Sequence, residues 1–353
     1  MSEPVRTSTR HLPELRDRLA TWLSGRLGTP VAVSEVSRPS ANGMSSETVF
    51  FTASWEGTRE RCVARLAPAP EAVPIFPVYD LRTQYDLMRL ARRKAGIPAP
   101  RPLWFEADPG PLGTPFFVMA REDGEVPPDV MPYTFGGWLC EAAPADRRRL
   151  QDATVGILAA LHDARFTHQE VPGLGAGGLR EHLRAQRAYY RWAHGERPVP
   201  LLERAFDWLE AHWPDDPGAD VLCWGDARIG NVMYRDFTPV AVFDWEMAAI
   251  GPRELDLAWM IFLHRFFQDL TVDMGLPGLP DFMRPEDVCR TYRELTGHEP
   301  RDLRFHEMYA ALRHGIVMAR VWLRRIHFGE LAMPDDPDDL VVHRATLERL
   351  LTG

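Results

Sequence analysis

Apolar residues recur at helical spacing over residues 10–27, where Leu12, Leu15, Leu19, Trp22, Leu23 and Leu27 share one face, and this predicts a packing helix. The period then shortens, and strands are expected over 31–38, 47–55 and 59–66, the last two joined by an EGT turn. A helix over 81–94 is broken by Ile97 to Pro100, and strands over 102–106 and 116–120 flank the turn DPGPLGTP. Beyond the linker PPDVMPYTFGGW the pattern is helical: 147–164, 179–194, 200–213, 254–267, 285–296, 303–328 and 338–351. One strand, turn, strand stretch, from 221 to 243, interrupts it. GLGAGG at 173–178 has no strand, helix, strand unit around it and reads as a flexible loop. DDPDD at 335–339 reads as a solvated turn or helix cap.

The interrupting stretch, continued to residue 259, is VLCWGDARIGNVMYRDFTPVAVFDWEMAAIGPRELDLAW, and it holds the candidate chemistry. Asp226 stands five residues before Asn231, and Asp244 closes the strand at 239–243. That is the kinase spacing in which a catalytic Asp precedes a magnesium-holding Asn and a second metal-binding Asp comes later. The β and γ phosphates of ATP carry several negative charges that Mg²⁺ must bridge. Magnesium takes hard oxygen ligands and keeps some of its waters, so the Asp244 carboxylate and the Asn231 amide oxygen suffice. Asp226, free of metal, can then accept the proton of an attacking hydroxyl. A bare Asp-x4-Asn falls by chance about once in a chain of this length. Gly225, the apolar hairpin and the helix with Asp256 after Gly251-Pro252 give it weight. Arg228 is placed to reach the γ phosphate and offset developing charge, or to form a salt bridge within the loop.

WGDARIGN, VFDWE and GPRELDLAW resemble the catalytic loop, metal Asp and following helix of the aminoglycoside phosphotransferase and choline kinase-like family. Within it the chain is most similar to the bacterial branch related to kinase domains attached to some acyl-CoA dehydrogenases, over about residues 31–328. The resemblance implies an α+β, bilobal protein-kinase-like fold. An antiparallel sheet lobe would cover 1–122 and a mainly helical lobe 123–353, with ATP between them. It also implies that SANGMSS, through Ser40, Asn42, Gly43 and Ser45, covers the phosphates. Adenine would meet backbone groups of Ala120, Arg121 and Glu122, with Met119 against the ring. Asp256 would be a buried brace of the catalytic loop. His162, after Leu161 at the end of the helix over 147–164, reads as a core or hinge histidine. Two departures stand out. Trp224 replaces a frequent His, and Arg65 stands where a phosphate-binding Lys is usual, with Gln84 at the matching acidic position. An Arg65 to Gln84 hydrogen bond would hold the cation as an ion pair does, on a longer, forked side chain.

A chain of 353 residues, 45% hydrophobic and 26% charged, has the composition of an ordinary soluble protein, long enough for two cores. Its net charge of −9 argues against nucleic acid as a partner. Cysteines at 62, 140, 223 and 289 share no C-x-x-C spacing, which points to a reducing compartment and no zinc site. No signal-peptide core or membrane-length run appears, so a cytoplasmic protein without a membrane partner is expected. Arg180, Arg184, Arg187 and Arg191 recur on one helical face beside Tyr190 and Trp192, and Arg313, Arg320 and Arg324 lie close in angle on a later helix. A cationic acceptor wants carboxylates or an aromatic cage. The expected acceptor is therefore neutral or anionic and partly apolar, with Arg187, Tyr190, Arg191, Trp259 and Arg320 on the substrate side. An aminoglycoside or macrolide is the alternative acceptor. A kinase-derived module that binds nucleotide without transfer is the alternative function, motivated by the loss of the usual Lys and Glu.

Overall fold

The computed structural model describes residues 10–39, 46–195 and 197–352. Two compact units divide the chain: Met1–Arg89 with Pro100–Glu122, and Leu90–Ala99 with Asp123–Gly353. In the first, helix α1 (Leu12–Leu27) carries Pro13 in its first turn and ends where Gly28 takes a left-handed φ of 69° that most side chains resist. Five strands follow: β1 (Ala32–Ser37), β2 (Glu47–Trp55), β3 (Thr58–Leu66), β4 (Pro102–Glu106) and β5 (Phe116–Ala120). They form one antiparallel sheet in the order β1-β2-β3-β5-β4. Alternation sets its buried face: Val49, Phe51 and Ala53 of β2, Cys62, Ala64 and Leu66 of β3, and Phe116 and Val118 of β5. These pack with Leu15, Leu19 and Leu23 of α1, the stripe read from the sequence. Trp22 extends the stripe, and its indole N–H donates to Glu106 at 2.8 Å, which holds that carboxyl below its usual range. Helix α2 (Leu81–Ala95) lies where a helix over 81–94 is expected. The loop residues Ser40, Asn42, Gly43 and Ser45 fall outside the described residues.

The second unit is mainly helical: α3 (Trp138–Glu141), α4 (Pro144–Asp163), α5 (Leu179–His194), α6 (Pro200–Ala211), α7 (Glu254–Asp273), α8 (Pro285–Thr296), α9 (Leu303–His327) and α10 (Arg344–Thr352). Two small antiparallel pairs sit among them, β6 (Asp220–Cys223) with β9 (Ala249–Pro252), and β7 (Val232–Arg235) with β8 (Thr238–Val242). The hairpin of β7 and β8 turns through Asp236 and Phe237, both at positive φ. β9 is not expected from the sequence, because its Gly-Pro ending reads as a turn. It forms because β6 offers it a partner.

The helix expected over 338–351 is a correction. Its first part is a short 3-10 turn, Pro337–Leu340, and the α-helix starts only at Arg344. The DDPDD run is also not all solvated. Asp336 accepts from the Asp338 N–H, and the buried Asp338 carboxylate accepts from Leu201 N at 2.7 Å. Leu201 lies in the first turn of α6, where backbone N–H groups have no intrahelical acceptor. Among the described residues no helix is long and apolar enough to cross a membrane.

Candidate active site

The second unit gathers the three polar residues of the 221–259 stretch. Between β6 and β7 the chain makes a loop that must turn sharply at Gly225, whose φ is 89°. A Cβ built there would lie 1.9 Å from the Met247 carbonyl oxygen, so no other residue fits without moving backbone. Gly225→Ala should therefore lower unfolding stability by at least about 2 kcal/mol, from the left-handed penalty plus the clash. Urea unfolding measures this, and an unchanged midpoint would show that the loop yields freely.

The loop is held from beneath by α7. Asp256, fully buried, accepts from Trp224 N at 2.6 Å and Gly225 N at 2.8 Å, as the resemblance implies for a brace. His162 bridges Asp256 at 3.1 Å and the Tyr292 hydroxyl at 2.8 Å. Cys223 stands near enough to His162 and Asp256 for the three to share an ion. Yet Asp256 uses both oxygens on backbone N–H groups, and His162 uses both ring nitrogens. The Cys223 thiol is pushed well up by burial and the nearby Asp256 charge, which keeps it protonated. Trp224, the residue that departs from the frequent His, is wholly buried, and its Nε1–H reaches the Phe243 and Asp244 carbonyls, both at 3.1 Å.

Asp226 receives three donors. Trp259 Nε1 reaches Oδ1 at 2.7 Å, while Arg228 Nε at 3.0 Å and Asn231 Nδ2 at 2.6 Å both reach Oδ2. Because the Asn231 amide turns its nitrogen to Asp226, its oxygen is left as a ligand atom. The Phe243 N–H donates to the Asn231 backbone carbonyl at 3.1 Å, which sets the residue before Asp244 beside Asn231. Asp244 itself sits at φ 64°, a region that Asp tolerates better than most residues and that costs free energy. The donor set is a carboxylate and an amide oxygen, both hard, and it fits magnesium.

Arg228 forms the salt bridge within the site. Besides Asp226, its Nη1 donates to both Asp129 oxygens, at 2.7 and 2.6 Å. Burial alone would weaken its protonation, but the Asp226 and Asp129 charges outweigh burial and raise its pKa. The guanidinium is thus engaged by carboxylates where the sequence also allowed a reach to the γ phosphate. Asp129 is a linker residue, and no motif or period in the sequence marks it.

The expected substrate-side residues scatter. Arg187 lies over the Phe206 ring at 4.2 Å and 3.7 Å from Glu203, and Arg180 is 3.6 Å from Glu210. Arg184 pairs with Glu181. Tyr190 is a correction: it is buried, and its hydroxyl accepts from Val199 N at 3.0 Å, so it is a packing residue. Arg191 is exposed, and Arg320 covers the exposed Trp192 ring at 4.5 Å. Trp259 lies beside the loop, with its indole N–H on Asp226 Oδ1. Arg313, expected on the basic face of α9, is buried at 1% exposure, donates from Nη2 to the Gly225 carbonyl at 3.0 Å and lies 4.5 Å over the Trp259 ring.

In the first unit Arg65 Nη1 donates to Thr48 Oγ1 at 3.0 Å, and Gln84 is buried. The Ala120 N–H donates to the Arg101 carbonyl at 2.9 Å and the Arg121 N–H to the Arg61 carbonyl at 2.8 Å. Two backbone donors expected to read adenine are thereby spent in the fold. Met119 pairs across the sheet with Val63, and Glu122 lies just past the end of β5.

A model of the phosphotransferase enzyme family matches residues 36–279. The chain belongs to that family. That family is one of phosphotransferases. Acyl-CoA dehydrogenase family member 11 of Homo sapiens is 30% identical to the phosphotransferase over 209 residues, 55% of this chain and 26% of that one. The chain thus spans about a quarter of the length of the curated relatives it matches. Among solved structures, a Ralstonia eutropha protein assigned to the aminoglycoside phosphotransferases aligns over 95% of this chain and 96% of its own, with a TM-score of 0.67 and 19% identity. A thermostable aminoglycoside phosphotransferase mutant, in ternary complex with ADP and hygromycin B, aligns over 95% and 99% with a TM-score of 0.56 and 17% identity. At such identities the likeness is one of fold: the α+β, kinase-like arrangement of an antiparallel sheet and a helical part.

Proposed function

We propose that this phosphotransferase moves the γ-phosphoryl group of ATP to a hydroxyl of a small, neutral and partly apolar acceptor, in a magnesium-dependent reaction. The observation that carries the reading is the single loop and hairpin in which Asn231 donates to Asp226 and Phe243, the residue before Asp244, donates to the Asn231 carbonyl. In the step proposed, the acceptor oxygen bonds to the γ phosphorus as the bond to the ADP oxygen breaks. The hydroxyl proton passes to Asp226. Trp259 occupies one side of Oδ1, so the remaining lone pair of that oxygen is the one to orient the hydroxyl. The Asn231 amide oxygen and the Asp244 carboxylate are assigned to hold magnesium, which when bound would neutralise charge on the phosphates. Asp129 and Arg228 set the position of the loop. Arg65, Met119 and Glu122, with the small-residue loop at Ser40 to Ser45, are assigned to the nucleotide.

Of the neutral and anionic acceptors expected, the neutral one is kept, because the arginines that argued for an anion are offset. Glu203 and Glu210 of α6 offset the basic face of α5, so that charge does not argue for an anion. Arg228, Ile229 and Gly230 border a small cavity closed by Tyr133, Met260, Leu263, His264, Phe267 and Met283. Its polar groups satisfy each other: Tyr133 hydroxyl and His264 Nδ1 lie 2.9 Å apart, and His264 Nε2 faces the Leu279 carbonyl at 3.2 Å. Burial brings the His264 pKa down to about 4, so the ring is neutral near pH 7. With room for one water at most, the cavity is packing beside the loop and does not select the acceptor.

Screening hydroxylated metabolites, hydroxyacyl thioesters, macrolides, choline and kanamycin-type amines for ATP-dependent phosphorylation, with mass spectrometry of products, tests the reading. Neutral, partly apolar alcohols should be turned over at least about tenfold faster than the amines, a difference of ~1.4 kcal/mol. Efficient turnover of choline or kanamycin alone would overturn the acceptor class. The phosphotransfer itself would stand.

A further inference from the structure

We infer that Arg313, through Trp259 and the Gly225 carbonyl, is a positioning residue for the Asp226 carboxylate. The inference rests on the reading of Asp226 as the acceptor-facing group. One peptide unit before Asp226, the Gly225 N–H is taken by Asp256 of α7 and the Gly225 carbonyl by Arg313 of α9. The residue with the most restricted backbone in the loop is thus pinned from both sides. Three residues after Asp256, and so on the same side of α7, Trp259 sends its indole N–H to Asp226 Oδ1. The Arg313 guanidinium lies over that indole. A cation on the face of an aromatic ring is held to it by the ring quadrupole, more strongly where water is excluded.

The placement is costly, which is what separates it from packing. A guanidinium taken out of water loses hydration that an apolar side chain of the same volume would not. Arg313 does so at 1% exposure, and its Nε has no hydrogen-bond partner among the described residues. Burial lowers its pKa, opposed by Tyr309, Asp256 and Asp226. What the cost secures is one arginine in simultaneous contact with the backbone and the side-chain partner of the same carboxylate. A displacement of about 1 Å in such a group is enough to cost roughly a hundredfold in rate.

Two measurements on the full chain test this. In the first, Arg313→Met, Arg313→Lys, Trp259→Phe and the Arg313→Met/Trp259→Phe double variant are assayed with an acceptor found by the metabolite screen. Turnover should fall about 10- to 100-fold in Arg313→Met and in Trp259→Phe, with KM for ATP unmoved. Arg313→Lys should recover part of the loss, and the double variant should be no slower than the worse single one, because both act on one carboxylate. Full turnover in both Arg313 variants, or losses that multiply in the double variant, would overturn the inference. Should Arg313→Met not fold, Arg313→Lys and Trp259→Phe carry the test. The second measurement needs neither acceptor nor nucleotide. The Trp259 indole N–H resonance, assigned with Trp259→Phe, should shift on Asp226→Asn and shift likewise in Arg313→Lys. If it stays in place in the Arg313 variant, the inference fails even where phosphotransfer holds. If Asp226→Asn turns over normally while the resonance moves, the positioning contact stands and the base assignment is what fails.

Discussion

Asp226→Asn is expected to lower turnover by roughly a hundredfold or more while Mg·ATP affinity stays where it was. The size comes from general-base catalysis, which contributes about a hundred- to ten-thousandfold. The site adds a second reason. Asp226 accepts from Trp259 on one oxygen and from Arg228 and Asn231 on the other, so both ends of the carboxylate face donors. An Asn there must point its own NH₂ group at one of these sets. Either choice breaks a hydrogen bond and turns the group away from the acceptor. Steady-state kinetics together with calorimetry of Mg·ATP binding check the split. Normal turnover would remove Asp226 from the role, and a collapse of affinity would place it on the nucleotide instead.

That Asp226, Asn231 and Asp244 belong together was legible in the chain because a short loop and one hairpin connect them. Local geometry fixes such neighbours almost regardless of the surrounding packing. Residues that arrive from elsewhere were not legible in the same way. Arg313 and Trp259 meet only because α7 and α9 pack side by side. Periodicity placed Arg313 on a face with Arg320, but it could not say that the face at that turn is buried against the catalytic loop. Asp129 lies in a linker of Pro and Met, where no period exists to read, and it is marked only by the Arg228 fork that finds it.

The basic stretch of α5 misleads for a related reason. A helical wheel gives the direction of Arg180 and Arg187 but not what stands opposite, and α6 presents Glu210 and Glu203 there. Net charge over one helix is thus a poor guide to the field beyond it when the next helix is acidic. The acidic run near the C terminus keeps its reading as a turn and cap, although one of its members, Asp338, is buried where it satisfies a helix N terminus. The sheet and α1 were readable throughout, because alternation and a three-to-four spacing both report which side faces the core.

Asp244→Ala should abolish measurable turnover, a loss of about a thousandfold or more, and remove the magnesium dependence of nucleotide binding. A carboxylate ligand and its metal stabilise charge in phosphoryl transfer by several kcal/mol, and every ~1.4 kcal/mol is tenfold in rate. Position 244 makes the choice of control important. Its φ of 64° lies where an Ala is strained, at a cost of roughly 1 to 2 kcal/mol, and Trp224 grips the carbonyls of 243 and 244 in that conformation. Asp244→Asn keeps the left-handed tolerance and one oxygen ligand, so it isolates the charge. It should bind nucleotide with a weakened dependence on magnesium while unfolding at the same urea midpoint as the native chain. Asn231→Ala should move affinity less than Asp244→Ala, since a neutral ligand contributes less charge. Its effect on turnover should nonetheless be large, because the same amide donates to Asp226. Calorimetry of ATP with and without magnesium on the three variants reads the difference. If Asp244→Asn and Asp244→Ala both keep the native magnesium dependence, the metal is held elsewhere.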